Sequence, residues 1–91
     1  MTESFTLPSV LPLISLREEF DDWALLFNPD TGKAVGLNPT GVTIWKCLAE
    51  GRDLSGIIQV MDEEYEPLPD DPAEDIRSFC EQIIRLGYAK T

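Results

Sequence analysis

Apolar and polar positions divide the chain into three short stretches ahead of residue 38 and three longer, periodic ones after it. Leu13-Ile14-Ser15-Leu16-Arg17-Glu18 has strand character, with Ile14 and Leu16 on one face, and Glu19 to Asp22 supply an acidic turn. Trp23 to Phe27 is apolar and aromatic, Lys33 to Leu37 is short and mixed, and Asn28-Pro29-Asp30-Thr31-Gly32 between them predicts a hairpin loop. Three strands joined by short connections are most simply an antiparallel meander. Gly36 is out of place in the last of them, because a glycine inside a strand marks a bulge or the close approach of another backbone.

After residue 38 the period changes to that of helices. Asn38-Pro39 combines a residue that caps with a proline whose missing N–H costs nothing in the first turn, so a helix starts there. It carries Ile44, Trp45 and Leu48 on one face and stops near Glu50-Gly51. Asp53 caps a second helix, in which Leu54, Ile57, Ile58, Met61 and Tyr65 form one apolar stripe, and Pro67-Leu68-Pro69 breaks it. Asp71-Pro72 repeats the capping device, with Glu74 and Asp75 placed against the positive end of the third helix. Ile76, Phe79 and Ile83 mark its centre of burial, Ala73, Cys80 and Ile84 widen the stripe to one side, and Leu86, Gly87 and Tyr88 close it. Residues 1–12, with Pro8 and Pro12, read as an extended arm ahead of one domain spanning 13–91. Strands grouped before helices give an α+β domain, a three-stranded antiparallel sheet followed by three helices.

Charge narrows the choice of partner. At 91 residues the chain makes one domain with a modest core, and 17 acidic residues against 7 basic ones give a net charge of −10. That field repels phosphate backbones and anionic membranes, so neither nucleic acid nor a lipid surface is an expected partner. No apolar run approaches the roughly 20 residues of a membrane span and the start lacks a basic signal region, which predicts a cytoplasmic protein. Cys47 and Cys80 fall at apolar helical positions, where free cysteine acts as a small hydrophobe and no disulfide is expected. With no histidine, no phosphate-binding glycine loop and no calcium-loop spacing among its acids, the sequence predicts a non-enzyme without metal or cofactor.

A sheet of this kind has edges, and an open edge accepts an extended peptide as a further strand. Lys33 to Asn38 is the candidate edge, and the lopsided apolar face of the third helix is the candidate source of side-chain pockets. The set Trp23-Ala24-Leu25-Leu26-Phe27-Asn28, Gly32, Gly36-Leu37-Asn38-Pro39-Thr40-Gly41, Ile44-Trp45, Leu48 with Gly51, and Asp75-Ile76, Phe79 and Gly87 resembles the PqqD-like family. These are peptide chaperones of pyrroloquinoline quinone biosynthesis and related recognition elements of ribosomally made, modified peptides. The resemblance implies a winged helix-turn-helix-like domain that takes the leader of a precursor peptide between the third strand and third helix. It also implies presentation to a modifying enzyme, often a radical SAM protein. By position the resemblance carries the site to Lys33–Leu37 on the strand and to Ile76, Phe79, Cys80, Ile83 and Ile84 on the helix. With Phe79 and Ile83 weighed as core by their spacing, the assigned site is Lys33, Ala34, Val35, Gly36 and Leu37 with Ala73, Ile76, Arg77, Cys80 and Ile84. Two other readings stand beside it: a winged-helix DNA-binding regulator, which the acidic third helix argues against, and a structural module that forms a homodimer through the edge or the arm.

Overall fold

The computed structural model describes residues 7–19, 21–64 and 71–90. The order of elements is β1 (Ser9–Val10), β2 (Ser15–Glu18), β3 (Ala24–Asn28), β4 (Lys33–Leu37), α1 (Pro39–Ala49), α2 (Leu54–Glu64), α3 (Pro72–Leu86) and β5 (Ala89–Lys90). The expected antiparallel meander is present as β2-β3-β4, and the three expected helices follow it. Two-stranded pairing of β1 with β5 was not expected, and it brings the segment after Leu7 against the segment after Gly87. Tyr65, the Pro67-Leu68-Pro69 break and the first six residues of the arm lie outside the described residues.

Local chemistry sets each boundary. In the β3–β4 hairpin the Asn28 side chain accepts from the Asp30 N–H at 2.9 Å, and Gly32 takes φ 74° while its N–H donates to the Asn28 carbonyl at 2.8 Å. Helix α1 opens with Asn38 Oδ1 accepting from the Gly41 N–H at 2.8 Å and Pro39 in the first turn. Asp53 does the same for Gly56 at 2.8 Å and Asp71 for Glu74 at 3.1 Å. Gly87 ends α3 at φ 88°, the left-handed conformation that glycine adopts without a side-chain clash.

The sheet's inner face supplies Ala24, Leu26 and Leu37 to one core with Ile44, Trp45 and Leu48 of α1, Ile57 and Met61 of α2, and Ile76, Cys80 and Ile83 of α3. Leu26, between Leu16 and Val35 in the register, is fully buried. The outer face of the same sheet presents Leu25 and Phe27 to solvent beside Ala34 and Gly36. Cys47 and Cys80 are free, buried thiols. Burial pushes both thiols up, Cys80 to about 11, which leaves them protonated and unreactive at neutral pH.

Candidate functional site: the groove between β4 and α3

Strand order makes β4 an edge. Lys33 donates its N–H to Thr31 Oγ1 at 3.2 Å, and its carbonyl accepts from the Tyr88 hydroxyl at 3.4 Å, so both groups point away from β3. Backbone groups alternate sides along a strand. Those of Val35 and Leu37 therefore face outward like those of Lys33, whereas Ala34 and Gly36 turn theirs to β3. Among the described residues no strand pairs with this side, and β1 pairs with β5 instead of covering it.

Helix α3 runs beside that edge. The Phe79 ring lies near Gly41 and Leu37 at the end of β4, and Tyr88 beyond the end of α3 reaches Lys33 at its start, so helix and strand run in opposite directions. Between them is an open groove of about 500 Å³. Val35, Gly36 and Leu37 form one wall, and Asp75, Ser78, Phe79, Gln82, Ile83 and Leu86 form the other. Asn38, Thr40, Gly41 and Ile44 close the end nearest α1, and Trp23 stands at the rim. Ile44 and Ile83 are buried and make an apolar floor, while Trp23 and Leu86, 51% and 47% exposed, are large apolar groups held in solvent. Space is tight at Gly41: a Cβ on it would come within 3.2 Å of the Phe79 ring, which would have to give by a few tenths of an ångström.

The sequence-assigned residues divide. Val35, Gly36 and Leu37 border the groove, and Lys33 and Ala34 are exposed on the same strand just beyond it. On α3, none of the five assigned residues lines it. Ile76 and Cys80 are fully buried in the core, Ile84 and Ala73 are half-buried, and Arg77 is exposed and paired with Glu81 at 3.7 Å. Phe79 and Ile83, placed on the helix face by the resemblance and weighed as core by their spacing, are the two members of the apolar stripe that line the groove. Trp23, Asp75, Ser78, Gln82 and Leu86 were not assigned. Their signal is positional: 75, 78, 79, 82, 83 and 86 follow helical spacing on the side adjoining the Asn38–Gly41 junction.

The arrangement suits binding an extended chain by its backbone, with the walls receiving alternate side chains. Among the described residues no three potential ligands gather to hold a metal ion, and no helix is long and apolar enough to cross a membrane. Residues 24–88 match the family model "Coenzyme PQQ synthesis protein D (PqqD)". No curated protein matches the chain. Two solved structures are similar. Lasso peptide synthetase B1 complexed with its leader peptide has a TM-score of 0.78 at 24% identity, over 94% of this chain and 100% of that one. TbiB1 in complex with the TbiA(beta) leader peptide has a TM-score of 0.74 at 23% identity, over 89% of this chain and 93% of that one. At these identities the likeness is one of fold.

Proposed function

The chain belongs to the PqqD family, and from that premise we propose that it is a non-catalytic chaperone for the leader of a ribosomally made precursor peptide. The leader adds to β4 as a further antiparallel strand and lays alternate side chains into the groove against α3. The protein then presents the peptide to a modifying enzyme, a radical SAM protein being one candidate. The observation that carries this reading is that, among the described residues, no strand pairs with the outer edge of β4, where Val35 and Leu37 border an apolar-floored groove. Both neighbours of the same fold hold leader peptides, which supports a leader as the occupant. The absence of histidine from the sequence and the protonated, buried state of Cys47 and Cys80 support a binding role over a catalytic one.

Hydrogen exchange tests the reading amide by amide. The probe is a peptide selected on the full chain from a random displayed library. On binding, the amides of Val35 and Leu37 become protected, while those of Ala34 and Gly36, already bonded to β3, change little. Unchanged exchange at Val35 and Leu37 in the presence of saturating peptide rules the strand-addition reading out.

A further inference from the structure

Gly36 has no explanation in the fold. Its φ is not among the positive values, which belong to Gly32, Gly51 and Gly87, so its backbone conformation is open to any residue. A Cβ built on it meets only Leu25 Cδ2, at 3.9 Å, an ordinary contact. A valine there would raise strand propensity and cover Leu25, yet the position is bare.

The bare position borders an open hollow of about 390 Å³ on the outer face of the sheet, lined by Trp23, Ala24, Leu25 and Gly36 together with Glu19 and Asp21. Trp23 and Gly36 border the β4–α3 groove as well, so the hollow and the groove open on the two sides of one strand edge. Gly36 pairs with Leu25 across β3 and turns its N–H and carbonyl inward, so toward an incoming antiparallel strand it belongs to a non-hydrogen-bonded pair. In such pairs the Cα atoms approach to roughly 4.5 Å and the side chains lie closest. The incoming residue opposite Gly36 points to the outer face, above the bare backbone and against Leu25 and Trp23.

We propose that the recognised peptide carries a large apolar side chain at this position and seats it in the hollow, which rests on the strand-addition reading above. Its neighbours on either side, opposite Val35 and Leu37, point into the groove over Ile44 and Ile83. The ligand is thus read on both faces, and its signature is three consecutive apolar residues, where a one-sided groove would select an alternating pattern.

The test selects 12-residue peptides from a random phage-displayed library on the full chain, using a selected peptide as the probe. The expected sequences hold an apolar triplet, and replacing its middle residue by alanine weakens binding roughly ten- to a hundredfold. Gly36→Val, with an unchanged circular dichroism spectrum, weakens the original peptide by a similar factor and the alanine-substituted peptide little. Gly36→Ala is the milder variant should the valine disturb folding, and the peptide substitution series is independent of both. If Gly36→Val binds the original peptide as wild type does while Val35 and Leu37 amides are still protected, the hollow proposal is overturned and strand addition survives. If those amides are never protected by any selected peptide, strand addition itself fails. If wild-type chain sediments as a dimer and Gly36→Val as a monomer, the hollow belongs to a second copy and the peptide assignment is wrong.

Discussion

Helix α3 has two working faces that look nothing alike. One carries Ile76 and Cys80, both without solvent exposure, and locks the helix to the sheet and to α1 and α2, with buried Ile83 shared between this face and the groove floor. The other carries Asp75, Ser78, Gln82 and Leu86 in solvent around a half-buried Phe79, and lines the groove. Composition alone would rank the first as the recognition surface. Yet a surface that takes a peptide by its backbone must stay soluble while empty, so it keeps a shallow apolar floor beneath polar rims. Continuous apolar character belongs to the side that is never uncovered.

The widest separation between the two faces comes from Ile76→Ala. It removes fully buried volume and should lower unfolding free energy by about 2–5 kcal/mol in urea titrations, enough to endanger a domain of this size. Gly41→Ala probes the point where core and groove meet, since its Cβ presses on Phe79. A displaced ring and altered exchange along Ser78–Gln82 are expected, with a net stability change within about 1 kcal/mol because alanine's higher helix propensity offsets the crowding. Cys80 separates the faces by pH. Its folded-state value is raised, so its contribution is fully present below about pH 9 and declines as pH rises toward about 11, and the urea midpoint of wild type should fall across that window more than that of Cys80→Ala. The smallest effect on stability is expected from Ser78→Ala and Gln82→Ala, within about 0.5 kcal/mol, although both should weaken peptide binding severalfold. Should either cost as much stability as Ile76→Ala, the division of the helix into two faces is wrong.

Much of the fold was legible because its signals are local. Asn38-Pro39, Asp53, Asp71-Pro72 and Gly87 set helix ends through caps that need no distant partner, and Lys33–Leu37 stands where the turn residues before it and the cap after it leave room for a strand. The β1–β5 pair left no trace, since two-residue strands have no period to read and Pro8 and Pro12 argue for irregular chain. Of the residues singled out from sequence, Val35, Gly36 and Leu37 of the strand border the groove, whereas Ile76 and Cys80 of the helix lie in the core. Apolar spacing finds the face a helix buries, and Ile76 and Cys80 answer that question. Which flank lies beside β4 depends on how α3 crosses the sheet, a tertiary fact carried by contacts such as Phe79 on Gly41. Trp23, which precedes β3, borders the groove, and nothing in the apolar pattern of the hairpin separates it from the residues of the strand.

The small β1–β5 pair has a consequence for how such a domain can be wired into larger polypeptides. Ser9 sits opposite Lys90, and β1 packs toward the last turn of α1, near Leu48 to Arg52, while the groove is built from the first turns of that helix. Residues 9 and 90 therefore lie side by side, roughly 10–15 Å along α1 from the groove's closed end. With residues 9 and 90 adjacent, the part of the fold between them can be spliced into a surface loop of another protein with the β4 edge still facing outward. Circular permutants joined between residues 9 and 90 and reopened in the β3–β4 turn would sacrifice the hairpin, whereas those reopened at Gly51 would keep it.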